Sequence, residues 1–264
     1  DDAAGELDDD GRYRMLLAIF HEDMHGEAVT YTRQTMGYPA PRLEVPLSRD
    51  DAAAGPLPGD VHIPGGRYLL GARPEDDGFV FDNEQWAHPR EVAPFAIARA
   101  PVTQSEMAAF VDDGGYRTRS LWSEEGWRAL QGAEHPMHWR KQDGQWQRRH
   151  FDAWLALEPH QPVIHVSWYE AEAYCAWAGR RLPSELEWEV AAAAVPDGAG
   201  GLAASRRRYP WGDEAPTSAQ VNMDWRAMGC VDVAAKAAGD SAFGCRQMLG
   251  NVWEWTQTDF GPFP

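Results

Sequence analysis

The chain has 264 residues, of which 44% are hydrophobic and 25% are charged, and its 24 basic and 41 acidic residues give a net charge of -17. A chain of this size and composition has enough apolar residues for one large core and a smaller unit, so we expect a soluble globular protein. The acidic balance repels nucleic acids and anionic membranes, which excludes both as partners.

The three cysteines, Cys175, Cys230 and Cys245, form neither a Cys-x-x-Cys metal pair nor an even disulfide framework. Free thiols are typical of a reducing compartment, so we expect a cytoplasmic location. No stretch approaches the length of a membrane span, and the acidic first residues do not resemble a signal peptide.

A long helix is predicted near the N-terminus, over residues 11–36. This segment contains no proline, repeats apolar residues at helical spacing and ends in Gly37-Tyr38-Pro39. The run of aspartates at residues 8–10 precedes it and favours a capped first turn.

His21 and His25 stand four residues apart in this segment, which places both imidazoles on one face of a helix. Neutral imidazole suits iron, zinc, copper or nickel, and a facial set of ligands with open positions is typical of non-heme Fe(II) sites. Glu27 can hold a ligating histidine in one tautomer or bind the metal itself. A third ligand has to come from elsewhere in space. The alternative is two surface or core histidines that fall four apart by chance.

The same segment, His21-Glu22-Asp23-Met24-His25, also matches the zincin pattern His-Glu-x-x-His. In that pattern the glutamate between the histidines acts as a general base. A zinc hydrolase using His21, Glu22 and His25 is therefore a second hypothesis.

The composition predicts a domain boundary after this helix, because residues 41–60 form a Pro/Gly/Ala-rich linker. Residues 1–40 are then a separate helical element. One helix cannot bury its own apolar face, so we expect it to pack on the second domain or on helices outside this sequence. The sequence is expected to begin inside a larger protein.

Short strand-like runs and capped helices alternate from residue 61 onward. Strands are predicted at 67–71, 95–98 and 162–166. Helices are predicted after Thr103 or Ser105, after Ser167 and after Ser184, because each of these residues suits an N-cap. The tryptophan-rich, locally basic segment 122–154 is interpreted as a solvated insertion, with a cover over the active site or a binding surface for an anionic donor as the alternatives.

An ordered series of motifs runs through the chain after the linker: Pro64-Gly65-Gly66, Pro101-Val102-Thr103, Arg181-Leu182-Pro183-Ser184-Glu185, Tyr209-Pro210-Trp211-Gly212 and Gly250-Asn251-Val252-Trp253-Glu254-Trp255. This series resembles the formylglycine-generating-enzyme or sulfatase-modifying-factor family, a variant of the C-type-lectin-like fold. The resemblance implies such a domain over residues 61–264, incomplete at its C-terminal end, with Trp253 and Trp255 in its core. It also implies a calcium site, for which Asn222, Asn251 and Glu254 are candidates.

The histidine motif followed by this domain resembles the ergothioneine-type sulfoxide synthases, in which a DinB-like helical bundle precedes the lectin-like domain. The resemblance implies an α+β protein that uses Fe(II) and dioxygen to join a thiol or selenium donor to the imidazole of hercynine. By this resemblance His21 and His25 are two of the iron ligands, and the third iron histidine is expected upstream of this sequence. Glu27 orients a ligand, and Phe260 lines the cavity wall.

One residue departs from the family pattern. The ergothioneine enzymes commonly carry glutamine immediately before the second iron histidine, where its amide contacts the substrate, whereas this chain has Met24. A thioether cannot replace that donor. This favours a selenoneine synthase or an ovothiol-type enzyme acting on histidine. A non-catalytic lectin-like binding module remains a further alternative, and the sequence leaves the donor and the oligomeric state open.

Four other histidines compete for a metal: His62, His88, His135 and His138. Each has a structural explanation, as a strand, scaffold or insertion residue. We therefore keep His21 and His25 as the metal candidates.

Overall fold

The computed structural model describes residues 8–44, 53–76 and 78–263, so residues 45–52 of the predicted linker lie outside the described part. The described residues form five α-helices and nine strands with much irregular chain between them. The helices are α1 (Asp9–Met36), α2 (Gln104–Asp112), α3 (Glu124–Ala129), α4 (Trp168–Trp177) and α5 (Glu185–Ala193).

The predicted N-terminal helix is confirmed as α1. The side chain of Asp8 accepts a hydrogen bond from the backbone N–H of Gly11, which satisfies a donor of the first turn. Gly37 ends the helix in the left-handed region, at φ 66°, where a residue with a Cβ would be strained. Local sequence therefore sets both ends of α1.

The strands form four small antiparallel sheets rather than one large one. Near the start of the domain β1 pairs with β4, and β2 and β3, which lie between them in the chain, pair with each other. A third sheet has the order β5-β6-β7, and β8 pairs with β9. The strands are β1 (Asp60–Ile63), β2 (Gly66–Leu70), β3 (His88–Val92), β4 (Phe95–Ala98), β5 (Trp139–Gln142), β6 (Gln145–His150), β7 (Ala153–Ala156), β8 (Ala194–Pro196) and β9 (Leu202–Arg206). In the three-stranded sheet Trp139 pairs with Arg148, and Arg149 pairs with Trp154.

Three helices begin at the predicted caps. Thr103, Ser167 and Ser184 each accept a bond from the backbone N–H three residues on, and the glutamate at that position bonds back to the cap N–H. Each helix therefore starts with a complete capping box.

Two secondary-structure predictions for the second domain are wrong. Segment 162–166 is not a strand: it contributes a single bridge, Thr103 to Pro162, and His165 takes a positive φ of 61°, which breaks extended geometry. Segment 122–154 is not a plain solvated insertion, because it folds into α3 and the sheet β5-β6-β7, with Trp122 and Trp139 buried. The sequence did not predict this sheet because its strands contain many polar residues. Their pairing depends on the neighbouring strands rather than on an apolar pattern within each strand.

The core consists of two clusters. In the first, Val190 and Ala191 of α5 pack with Ile63 of β1 and Leu70 of β2. The second gathers aromatic side chains around Phe110 of α2, including Tyr174 of α4. Full burial of a side chain such as Phe110 stabilises the fold by about 1.5–3 kcal/mol.

α1 contacts the rest of the chain along one line of side chains spaced seven residues apart, which we call the contact stripe: Tyr13, Phe20, Glu27 and Gln34. Tyr13 and Phe20 pack on Phe79, with ring centroids 5.1 and 5.0 Å away. Seven residues are close to two helical turns, so the four side chains share one face.

The helices and sheets together confirm an α+β protein. Within the described ranges α1 is the one helix of the N-terminal element, and its membership of a DinB-like bundle stays a prediction. No described helix combines the length with the apolar character that crossing a membrane requires.

Candidate functional site

His21 and His25 lie one turn apart in the middle of α1, and both are solvent-exposed. Their ring centroids are 4.6 Å apart, with the ring planes at 85°. Helical spacing therefore brings two imidazoles together as predicted. Two neutral imidazoles on one exposed face can supply two nitrogen ligands to a transition metal.

The histidines do not face the second domain. A helix turns about 100° per residue, so His21 and His25 lie about 110° and about 150° around α1 from the middle of the contact stripe. Among the described residues, no group of three or more His, Cys, Asp or Glu side chains is arranged to hold a metal. A third ligand would have to approach from the side of α1 opposite the domain.

Glu27 belongs to the contact stripe. Its Oε1 accepts a hydrogen bond of 3.3 Å from Nε1 of Trp253, 226 residues away in the chain. The side chain of Glu27 thus bonds to the indole rather than to a histidine ring. The predicted role of Glu27 in orienting His21 or His25 stays a prediction.

The aromatic residues after the last motif are exposed. Trp253 is 87% exposed, Trp255 is 51% exposed and Phe260 is 92% exposed, so the prediction that the two tryptophans lie in the core is wrong. Each indole N–H is held by a polar partner instead of by core packing. Nε1 of Trp255 donates to the backbone carbonyl of Val166, and Nε1 of Trp253 donates to the carboxylate of Glu27. The cavity-wall role of Phe260 stays a prediction.

The calcium candidates do not converge as free oxygen ligands. Oδ1 of Asn251 accepts hydrogen bonds from Asn222 Nδ2 and from the backbone N–H of Val231, both at 2.9 Å. The amide nitrogen of Asn251 donates to the carbonyl of Val231 at 3.2 Å, and Glu254 accepts from the indole of Trp188. These groups form a structural hydrogen-bond network, and the residues present do not fit a calcium ion.

The three cysteines are free, as predicted. Burial raises the pKa of Cys230 to about 12 and that of Cys245 to about 11. Burial also raises the pKa of Cys175. Because the thiolate is the nucleophile, none of the three thiols is activated for nucleophilic attack at neutral pH.

The sequence did not predict a cluster of histidine and arginine side chains below the C-terminal end of α1. His138 is buried, its Nδ1 lies 2.9 Å from Nη2 of Arg149, and its ring meets that of His165 edge-on at 5.3 Å. With Arg148 they line a cavity of about 10 Å³, which is at the lower limit of the space that one water molecule needs. Burial, and then the charge of Arg149, lower the pKa of His138. No local pattern signals this cluster, because its members are brought together only by the folding of the insertion.

Comparison with known proteins identifies the family of the second domain. The model of the sulfatase-modifying factor enzyme 1-like domain matches residues 47–264. The hercynine oxygenase of Mycolicibacterium thermoresistibile is 47% identical over 199 residues, which cover 75% of this chain and 43% of that protein. The hercynine oxygenase of Mycolicibacterium smegmatis is 39% identical over 259 residues, covering 97% of this chain and 58% of that protein. The chain thus spans about half the length of these relatives.

More distant similarities agree with the same domain. The formylglycine-generating enzyme of Streptomyces coelicolor is 32% identical over 238 residues, with 77% of this chain and 70% of that enzyme covered. The structure of PvdO from Pseudomonas aeruginosa superposes with a TM-score of 0.51 at 21% identity, over 83% of this chain and 77% of that one, and supports the fold alone. The predicted domain type is confirmed: the chain belongs to the family of sulfatase-modifying factor enzyme 1-like domains.

Proposed function

We propose that this chain is part of an oxygen-dependent non-heme Fe(II) enzyme that forms a carbon–sulfur or carbon–selenium bond on the imidazole of hercynine. The observation that carries the proposal is the pair His21 and His25, exposed on one face of α1 with ring centroids 4.6 Å apart. The names of the relatives that share 39–47% identity, hercynine oxygenases, support hercynine as the substrate.

The donor set fits Fe(II) in part. His21 and His25 would hold the metal through two neutral imidazole nitrogens, with a third ligand from outside the described residues, and this leaves positions open for substrates. Bound iron would supply the redox chemistry that a reaction with dioxygen needs. For a thiol donor the balance is simple: one C–H and one S–H bond are lost, one oxygen atom ends on sulfur and the other in water.

Met24 bears on the choice of branch. It precedes His25 and is 53% exposed, so it is available to a substrate bound at the histidines. Its thioether is a weak acceptor without a donor, so it cannot hydrogen-bond a substrate carboxylate. Its polarizable sulfur suits apolar contacts instead. We therefore favour selenoneine biosynthesis or another variant branch over the usual ergothioneine reaction, with the ovothiol type as the alternative.

The test is an assay of the protein at the full length of its relatives, loaded anaerobically with Fe(II). Hercynine and dioxygen are supplied with cysteine, γ-glutamylcysteine or a seleno-sugar in turn, and the product is weighed by mass spectrometry. We expect a hercynine adduct with one of these donors. Turnover with histidine in place of hercynine would indicate the ovothiol type. Absence of any adduct with iron, together with hydrolytic activity that is restored by zinc, would overturn the proposal in favour of the zinc hydrolase.

A further inference from the structure

The C-terminal end of α1 is held by an arginine from the second domain. Nη2 of Arg149 donates to the carbonyl of Thr35 at 3.1 Å, which satisfies one of the carbonyl groups that the last turn of a helix leaves without a partner. Gly37 permits this approach, since a Cβ at position 37 would lie 2.5 Å from Nη1 of Arg149. The helix dipole also favours a positive charge at this end. We call the hydrogen bonds of the Arg149 guanidinium to Thr35, Phe151 and His138 the Arg149 clamp.

Every acceptor of the Arg149 clamp is a neutral group. Two are backbone carbonyls, and the third is Nδ1 of His138, at 2.9 Å. Because arginine only donates, this Nδ1 has to carry a lone pair, so the ring of His138 is neutral with its hydrogen on Nε2. In the described part of the chain no carboxylate forms an ion pair with Arg149. Its neighbour Arg148, in contrast, is bound by both carboxylate oxygens of Glu158, at 2.6 and 2.8 Å.

Protonation of His138 is incompatible with this arrangement. An imidazolium donates from both ring nitrogens, so it cannot accept from Arg149, and it places a second positive charge beside the first. The backbone N–H of Arg149 donates to the carbonyl of His138 at 2.7 Å, which fixes the two residues to each other. The repulsion is therefore relieved by the guanidinium, the more exposed of the two side chains, which moves away from α1. The end of the helix then depends on Gln34.

The other groups around His138 leave this effect in place. The cavity beside its ring is lined from α2 by Gln104, which is uncharged, and from β6 by Arg148, whose charge a carboxylate balances. The pKa of His165 is lowered to about 4, first by burial and then by His138, so this ring stays neutral at mildly acidic pH. His150 lies beside Arg148, and burial lowers its pKa. The charged and titratable groups near His138 are Arg148, Arg149, His150, Asp152, Glu158 and His165.

We propose that the Arg149 clamp opens and closes with the protonation of His138: the neutral ring keeps the C-terminal end of α1 on the second domain, and the protonated ring loosens it. Burial, and then the charge of Arg149, lower the pKa of His138 in the closed state, so the open state binds the proton more readily. The closed state is thus favoured above the ordinary histidine pKa of about 6.5 and is lost as the pH falls. Its consequence for His21 and His25, which α1 also carries, rests on the proposed function.

Hydrogen exchange of the metal-free chain at pH 7 and pH 5, followed by mass spectrometry, tests the proposal. Labelling times are scaled to the intrinsic exchange rate at each pH. Peptides from the last turns of α1 are compared with peptides from α5, whose capping box contains no histidine. We expect protection of the α1 end to fall in acid, by up to about tenfold per pH unit for one titrating group, while α5 keeps its protection. Unchanged protection of α1, or an equal loss in both helices, would overturn the proposal.

Three variants identify the groups. His138→Asn keeps an acceptor for Arg149 that does not titrate, so the end of α1 should stay protected at pH 5. Arg149→Leu removes the Arg149 clamp, so this end should exchange faster at pH 7 with no further loss in acid. The matched control is His135→Asn, because His135 lies in the same segment but its Nδ1 is 3.0 Å from the carbonyl of Pro136 rather than from a guanidinium. Protection of α5 shows that each variant is folded. The parental pH dependence in His138→Asn, or its loss in His135→Asn, would contradict the assignment.

The outcome is separable from that of the proposed function. Exchange is measured without iron, hercynine or dioxygen, so opening of the Arg149 clamp is observed whether or not the full-length protein makes a product. The effect on the histidine pair is measured as the Fe(II) affinity of the full-length protein at pH 7 and pH 5. The histidine ligands are the same in the parent and in His138→Asn, so we expect a smaller loss of affinity in the variant. Identical losses would show that the clamp does not control the metal site.

Discussion

Gln34 fixes the C-terminal end of α1 by accepting a 2.6 Å hydrogen bond from the backbone N–H of Phe151. The same side-chain amide donates from Nε2 to the carbonyl of Arg149 at 3.0 Å. The side-chain amide of Gln34 thus bonds to the backbone at the end of β6 in the way that a peptide group of an adjacent strand would. Only 4% of its surface is exposed, which makes it the buried residue of α1. A polar anchor therefore determines how the helix that carries His21 and His25 is held.

Replacing Gln34 by leucine should loosen this end of α1. The substitution leaves the N–H of Phe151 and the carbonyl of Arg149 without partners in a buried place, which costs about 1–3 kcal/mol of the free energy of unfolding. Urea unfolding measures the loss, and hydrogen exchange of the α1 amides should increase. Gln145→Leu, at an exposed position of β6, should change stability by less than about 0.5 kcal/mol. Equal stability of the two variants would show that the anchor contributes little.

Acid should destabilise the fold through His138. Its pKa is lowered in the folded chain first by burial and then by the positive charge of Arg149. The unfolded chain therefore binds a proton more readily. The stabilising contribution is complete above the unfolded pKa of about 6.5 and is lost as the pH falls through the folded value, by at most about 1.4 kcal/mol per pH unit for one group.

The variant His138→Asn isolates this effect. An asparagine Oδ1 can take the place of Nδ1 as the acceptor for Arg149, but it does not titrate. We expect the free energy of unfolding to fall less between pH 7 and pH 5 than in the parent chain. His62→Asn, at an exposed position of β1, serves as the control and should keep the parental pH dependence. If the free energy of unfolding of His138→Asn falls with pH as steeply as that of the parent chain, His138 is not the acid-sensitive group.

The histidine pair should be required for metal binding but not for folding. His21→Ala and His25→Ala should each lower the Fe(II) content of the full-length protein and abolish product, because two of the proposed ligands come from α1. Both side chains are exposed, so stability should change by less than about 0.5 kcal/mol. Iron is measured with a colorimetric chelator and product by mass spectrometry. An unaltered rate in His21→Ala would refute the iron site, and His62→Ala should retain full activity.

The cap of α5 should contribute measurably to stability. Ser184 accepts a hydrogen bond from the N–H of Glu187 at 3.2 Å, and Glu187 bonds back to the N–H of Ser184 at 2.8 Å. Ser184→Ala breaks this reciprocal pair and should cost about 1 kcal/mol. Thermal unfolding measures the change against Ser120→Ala, an exposed serine outside any cap. A cost no larger than that of the control would mean that core packing alone sets the start of α5.

Elements whose ends depend on neighbouring residues were predictable. Asp8 and Gly37 bound α1, and the capping boxes at Ser167 and Ser184 start α4 and α5, because each cap bonds to a backbone group within three or four residues. The sheet β5-β6-β7 was not predictable in the same way. Its strands carry many charged side chains, and their pairing is favourable only once Trp139 is buried beside α2 and α4.

The sequence by itself determined that His21 and His25 share one helix face, because four residues make about one turn of any α-helix. It also determined the domain family through the order of its motifs. Only the tertiary structure decided that the contact stripe turns those rings away from the second domain and that Trp253 meets Glu27 with its ring exposed. The physical reason is that helix orientation depends on contacts such as Gln34 with Phe151, which join residues 117 apart and leave no periodic trace in the chain.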